Sequence, residues 1–271
     1  MKITVITATL NSAASIKRCV KSVVNQSYKY FEHIIVDSLS DDNTISIIKD
    51  IYSNKNLLSN LTIISEKDDG ISDAFNKGIK LAKGEIVTIL NSDDYYYSDE
   101  IFKIVAESFV DSSILFVHGN ILFVDKIYGS NIRRPLLCDV KEAMPYNHPT
   151  MFVRKSLYDK IGLYDNNYKY AMDFDFICKI KDSYENIDSI SFYIQGDPIT
   201  VMLAGGASWE NENKSIKETK EILIRHNFWD SRARINYYFR LFRVRIKTIL
   251  NFIGLNYFIK LWRKNKWGSN K

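Results

Sequence analysis

The chain has 271 residues, is 46% hydrophobic and 25% charged, and carries a formal net charge of +5. Its length suits one substantial domain plus an appendage, and its composition is that of a soluble globular protein. No apolar run approaches the roughly 18 residues that span a bilayer, and three scattered cysteines, Cys19, Cys138 and Cys178, match neither a zinc nor a CxxC spacing, which points to a reduced, cytoplasmic chain.

Residues 2–7 form too short an apolar run for a signal peptide and read as a first strand. A helix is predicted over 15–25, with Ile16, Val20, Val23 and Val24 on its apolar side. A strand at 33–36 precedes a helix over 43–52 with Asn43 as N-cap. A strand at 61–65, a helix over 72–83 ended by Gly84, and a strand at 85–90 follow. This alternation predicts an α/β fold, a mostly parallel central sheet with helices on both faces. Further on, the patterns give a helix over 98–109, two strands within 114–124 broken near Gly119-Asn120, and an irregular segment over 128–150. A helix over 173–181, a strand at 189–194, a flexible stretch at 204–208 and a helix over 215–227 complete the unit.

Polar clusters follow the predicted strands. The tetrad Asn91-Ser92-Asp93-Asp94 comes straight after an apolar strand, where paired carboxylates suit a sheet edge that binds ligands better than a core. Hard oxygen donors there fit Mg2+ or Mn2+, and through it a diphosphate; an ordinary acidic turn is the plainer alternative. Thr7 to Asn11, Asp37 to Asn43 and Glu66 to Asp73 occupy equivalent places after the first three strands. A parallel sheet puts all four clusters along one edge, as a nucleotide site requires.

These blocks resemble glycosyltransferase family 2. Thr7-Ala8-Thr9-Leu10-Asn11, Asp37-Ser38-Leu39-Ser40-Asp41-Asp42, Asp69-Gly70-Ile71-Ser72-Asp73-Ala74-Phe75-Asn76-Lys77-Gly78 and Asn91-Ser92-Asp93-Asp94 carry the likeness. The third is the most specific. The resemblance implies a GT-A fold, a nucleotide-sugar donor, a divalent metal, Mn2+ or Mg2+, and inversion at the anomeric carbon. It implies donor contacts from Thr7, Thr9, Asn11, Asp37, Asp69, Asp73, Lys77 and Asp93, with Asp37 at the base, most often uracil, and Asp94 on the metal. Leu39 departs from the family, which has a small or Gly-rich turn there.

Inversion needs a base for the acceptor hydroxyl, usually a carboxylate. Asp173, in Tyr170-Ala171-Met172-Asp173-Phe174-Asp175, resembles the family's base at a helix start; helix capping by Asp173 and a base role for Asp175 are the alternatives. His148 stands where relatives carry a histidine and is assigned to the donor phosphate or acceptor, with a structural role equally open. Arg154 reads as a surface charge, with a phosphate contact as the alternative. Gly205-Gly206-Ala207-Ser208 resembles a mobile cover over the donor.

Residues 1–228 are therefore expected to form the GT-A domain and residues 229–271 a basic amphipathic tail. Eleven lysines and arginines and no acid lie in 231–271, which leaves the rest of the chain net acidic. Ile235, Tyr238, Phe239, Phe242, Ile246, Ile249, Leu250 and Ile253 recur at helical spacing with Arg240, Arg243 and Lys247 on the other side. Such a helix suits an anionic membrane surface, with packing on the domain or on a second copy as the alternative. No nucleic-acid module is recognisable. The family resemblance implies a glycosyltransferase of bacterial surface polysaccharide synthesis acting on a lipid-linked glycan, and the basic tail adds the expectation that it lies peripherally on the inner face of the cytoplasmic membrane. A sugar-phosphate nucleotidyltransferase and a non-catalytic membrane-bound scaffold are the other readings.

Overall fold

The computed structural model describes residues 1–125, 129–205, 211–255, 257 and 261. β-branched runs build the sheet: the buried β1 (Ile3–Thr9), β2 (Phe31–Asp37) and β4 (Ile86–Ile89), and the partly exposed edge strand β3 (Leu61–Ser65). They lie in parallel in the order β4-β1-β2-β3, linked by α1 (Ile16–Val24), α2 (Thr44–Asn54) and α3 (Ile71–Leu81). Alternation along each strand feeds two cores. Ile3, Val5 and Ile35 pack with α1 and α2, whereas Ile6, Ile34 and Val36 pack with α3. Gly78 lets α3 approach β1 closely, since a Cβ there would stand 2.4 Å from Ile6.

After β4 the chain makes the short β5 (Tyr95–Tyr96), α4 (Ile101–Ser108), β6 (Phe116–Gly119), β7 (Ile121–Asp125) and β8 (Gly129–Arg133). β9 (Phe152–Arg154) leads into α5 (Lys155–Ile161), then α6 (Met172–Ser183), β10 (Ser191–Ile194), β11 (Thr200–Leu203), α7 (Glu212–Arg225) and α8 (Ser231–Phe252). The central sheet has seven strands in the order β10-β6-β9-β4-β1-β2-β3, and only β9 runs antiparallel to its neighbours. A second, four-stranded sheet is ordered β5-β11-β7-β8. The expected α/β architecture is thus present, with helices on both faces of a mostly parallel sheet.

Several local expectations change. Residues 128–150 are not wholly irregular, because β8 pairs with β7 there. β9 and β11 are strands of three and four residues, too short to show a periodicity. Asn43 stands at the N-cap of α2 as expected but its side chain makes no cap hydrogen bond; the Asp42 carboxylate accepts the Thr44 amide at 2.9 Å instead. Gly84 ends no helix by a left-handed turn; its amide donates to Thr4 Oγ1, and a Cβ would strike Thr4 and the Lys2 carbonyl. Arg154 is no surface charge, since its guanidinium donates to the carbonyls of Ile114 and Phe109. Cys19, Cys138 and Cys178 are free thiols.

Candidate active site

The parallel register sets Thr9, Asp37 and Ser65 abreast at the carboxyl ends of β1, β2 and β3. Asp37 is fully buried and accepts from Ser65 Oγ at 2.6 Å, Ser40 Oγ at 2.5 Å and the Ser40 amide at 3.1 Å. Those bonds fold the loop after β2 back over the strand end. The turn takes Leu39 into left-handed backbone at φ 60° with its side chain exposed, a conformation disfavoured for a branched residue. Asn11, also left-handed, accepts from the Asp41 amide through Oδ1 and donates its own amide to Ser40 Oγ. Ser12 and Ser92 hydroxyls meet at 3.0 Å and tie the first edge loop to the fourth.

The third block works partly as a clasp. Lys77 binds Glu66 at 2.9 Å and Asp73 at 3.3 Å, and Asp73 accepts the Asp69 amide at 3.2 Å. Asn76 is buried, donates to the Tyr164 carbonyl at 2.9 Å and accepts the Tyr164 amide at 3.0 Å. Ser72 donates to the Tyr168 carbonyl. The motif's inner residues therefore hold the segment that leads to α6, while Asp69 and Asp73 stay at the edge.

Thr7 is placed elsewhere. Its side chain points into the α1 side of the sheet, hydrogen-bonded to His33 Nε2 at 2.9 Å, and is fully buried. An alternating strand sends residue 7 to the face opposite residues 6 and 8, below the edge. Thr9 is nearly buried two residues on, its hydroxyl without a partner.

Asp94 is 1% exposed and accepts from Asn91 Nδ2 at 3.1 Å. Burial first, then the neighbouring Asp93 carboxylate, push its pKa up to about 8. Burial also raises Asp93, against the opposing pull of Arg18. Asn91 Oδ1 is buried with no hydrogen-bond partner. Two crowded carboxylates and an orphaned amide oxygen form a hard, electron-rich corner that fits a divalent cation. Among the described residues no group of three or more His, Cys, Asp or Glu side chains is set to hold a metal, so the remaining ligands of such an ion would come from water and phosphate oxygens.

β11 joins this corner to the second half of the chain. It pairs antiparallel with β5, which directly follows Asp94, and Thr200 Oγ1 donates to the Pro149 carbonyl at 2.8 Å. Next to Pro149, His148 Nε2 meets the Tyr164 hydroxyl at 2.8 Å. Burial lowers the His148 pKa, and Asp173 opposes that shift. Asp173 is half-buried in the first turn of α6 and accepts the Phe174 amide at 2.8 Å. Asp175, by contrast, is fully buried away from this cluster, on Lys179 at 2.9 Å and His226 at 3.0 Å.

Glu218 of α7 is a site-shaping residue that sequence patterns did not show. Its carboxylate accepts the amides of Lys169, Tyr170 and Ala171 at 3.1, 2.8 and 2.9 Å. It thereby satisfies backbone donors at the N-terminal end of α6 and fixes the turn that presents Asp173. Of the 205–208 segment only Gly205 lies within the described residues.

Comparisons with known proteins show the family and the fold. Residues 4–162 match the model for glycosyl transferase family 2. A PGL/p-HBAD biosynthesis glycosyltransferase of Mycobacterium tuberculosis (H37Rv) is 30% identical over 176 residues, covering 64% of this chain and 66% of the relative, just under two thirds of its length. The hyaluronan synthase of Pasteurella multocida is 26% identical over 204 residues, 72% of this chain but 21% of that protein. Among solved structures, S. aureus TarS 1-349 in complex with UDP-GlcNAc superposes with a TM-score of 0.66 at 22% identity, covering 83% of this chain and 65% of that one. The mannosyltransferase PcManGT from Pyrobaculum calidifontis, in complex with GDP-Man and Mn2+, covers 99% of this chain and 88% of its own at a TM-score of 0.62 and 16% identity. With its acid-lined parallel sheet edge and GT-A architecture, the chain belongs to glycosyltransferase family 2.

Proposed function

We propose that this glycosyltransferase is an inverting, divalent-metal-dependent enzyme that moves a sugar from a UDP-sugar to a hydroxyl of a lipid-linked glycan at an anionic membrane surface. The observation that carries the reading is the pairing of β11 with β5, directly after Asp94, together with the Thr200 hydrogen bond to the Pro149 carbonyl beside His148, and Asp173 acts on the charge of that histidine. In this reading the metal-suited acidic corner and the separate Asp173 carboxylate serve one site. The UDP-GlcNAc and Mn2+ in the complexes of TarS and PcManGT support the donor and the ion.

In this reading Asp37 and the loop it folds receive the base, and Asp69 and Asp73 face the nucleoside. Asp94, with Asp93 and Asn91, would hold the cation, which when bound neutralises charge growing on the departing diphosphate. Asp173 takes the proton from the acceptor hydroxyl as its oxygen attacks the anomeric carbon from the side opposite the leaving group. The transition state is oxocarbenium-like, as in glycoside hydrolysis. His148 and Tyr164 hold the wall beside Asp173.

α8 supports the membrane setting. Its inner face carries buried Ala233 and Val244, and Ile235, Tyr238, Phe239, Phe242, Ile246 and Ile249 are exposed. The apolar stripe therefore does not pack on the catalytic domain. Arg232, Arg234 and Arg245 accompany it, a combination suited to anionic lipid. Among the described residues no helix is long and apolar enough to cross a membrane; in this reading the contact is peripheral.

The test is turnover of UDP-sugars with and without Mn2+. Wild type should release UDP only with the ion, and Asp94→Ala should abolish that release. Metal-independent release, or full activity in Asp94→Ala, would sink the reading.

A further inference from the structure

The inner face of α8 does more than anchor the helix. Ala233, Asn236, Arg240, Val244 and Lys247 fall on one side at helical spacing. Ala233 and Val244 are buried, Asn236 Nδ2 donates to the Lys141 carbonyl, and Lys247 binds Glu212 at 2.5 Å. Arg240 lies between these anchors, so its side chain is directed from α8 towards the catalytic domain. It is half-buried and within electrostatic reach of Asp173 and Glu212. Glu212 is already engaged by Lys247. Among the described residues Arg240 itself is in no salt bridge or hydrogen bond. A half-buried guanidinium without a direct protein partner is open to an anionic ligand, and its planar fork matches phosphate oxygens in bidentate fashion.

We propose that Arg240 is a binding residue for a phosphate group of the acceptor, reaching over from α8 to the Asp173 side of the cleft. This rests on the glycosyltransfer reading above, in which Asp173 faces the acceptor and Asp93-Asp94 face the donor diphosphate. One helix would then serve two purposes. Its outer face lies on lipid, and its inner face holds the phosphate through which a lipid-linked glycan is joined to its carrier. Donor and acceptor both offer a diphosphate, and the two sources can be separated.

The experiment uses the full chain with inorganic pyrophosphate as probe, titrated calorimetrically onto protein saturated with UDP and Mn2+. UDP affinity is measured in parallel. Wild type should bind pyrophosphate in the presence of UDP. Arg240→Gln should weaken that binding by at least about tenfold, leave UDP affinity within about twofold and keep the thermal midpoint, and Arg240→Lys should recover part of the loss because the charge remains. Asp173→Asn should tighten pyrophosphate by removing a nearby negative charge. The proposal is overturned if UDP-saturated wild type binds no pyrophosphate, if Arg240→Gln weakens UDP instead, which would place the residue on the donor, or if only the thermal midpoint falls, which would make it an anchor of α8. Failure of wild type to bind UDP at all would instead remove the reading on which this inference stands.

Discussion

Glu218 on α7 accepts the backbone amide of Ala171, the residue that opens the helix carrying Asp173, at 2.9 Å. Lys169 and Tyr170 donate to the same carboxylate. A side chain 47 residues away thus sets the entry angle of α6 and with it the position of the proposed base. Glu218→Ala should cost about 2–3 kcal/mol of stability, because charge-assisted bonds are lost and backbone donors are left unmet. Transfer should fall by roughly tenfold to a hundredfold, since a small misplacement of a reacting group is expensive, while UDP affinity holds. Denaturant melts, kinetics and calorimetry check the three parts; loss of UDP binding in step with activity would count against a positioning role.

Asp173 and Asp175 sit two residues apart on α6 and should behave oppositely. Asp173→Asn should abolish transfer, leave UDP affinity within a few-fold and leave the melting curve in place. Asp175→Asn should cost about 3 kcal/mol, because it breaks a fully buried carboxylate away from Lys179 and His226. Activity per folded molecule should survive the second change. The reverse pattern would assign the base to Asp175.

The clasp between α6 and α7 should also show in pH. Burial works against charge on His226, yet Asp175 and Asp182 outweigh it and raise the imidazole above its ordinary 6.5. A raised histidine contributes its stability in full below the unfolded pKa and loses it as pH climbs through the folded value. Asp175 is the mirror case: burial raises it, but His226 and Lys179 hold it below the ordinary carboxylate range. Its contribution is present above that range and is lost as pH falls through the folded value. Thermal midpoints should therefore decline on the alkaline side of about 6.5 and again in acid. His226→Gln should flatten the alkaline limb; an unchanged limb would place the effect elsewhere.

Asp94 predicts a pH-dependent response to metal. Without a cation, keeping this carboxylate ionised in the folded chain becomes more costly as pH rises from the ordinary carboxylate range towards about 8. A bound divalent ion removes that cost. Mn2+ should therefore raise the thermal midpoint more at about pH 8 than at about pH 6, with proton release on binding at the lower pH. Asp94→Asn should lose most of the Mn2+ response at both; a response of equal size in the variant would place the ion elsewhere.

The outer face of α8 is open to substitution because it supports nothing in the fold. Phe242→Glu with Ile249→Glu should leave the melt unchanged, since both side chains are exposed. Cosedimentation with phosphatidylserine vesicles should weaken by about a hundredfold or more, from two lost apolar contacts. Undiminished vesicle binding would remove the membrane reading, and a concentration-dependent dimer lost in the variant would give the face to a second copy.

The alternating strands and helices of the first ninety residues, and the acids placed after β2 and β4, were legible in the sequence because they depend on local periodicity and on a parallel sheet gathering its strand ends at one edge. The family resemblance added Asp173 by motif. Other assignments depended on depth along a strand: Thr7 lies two residues short of the β1 end and is buried against His33. The antiparallel β9 and the short β11 left no pattern, though β11 is what links the strand after Asp94 to the His148 turn. Glu218, Asn76 and Arg240 gain their meaning only from partners or neighbours tens of residues away. Local chemistry is written in neighbouring residues, so the sequence alone determined the fold class and the acidic edge. Convergence of distant segments is set by packing, so only the tertiary structure decided which carboxylate stands free, which clasps a helix, and which face of the basic tail turns outward.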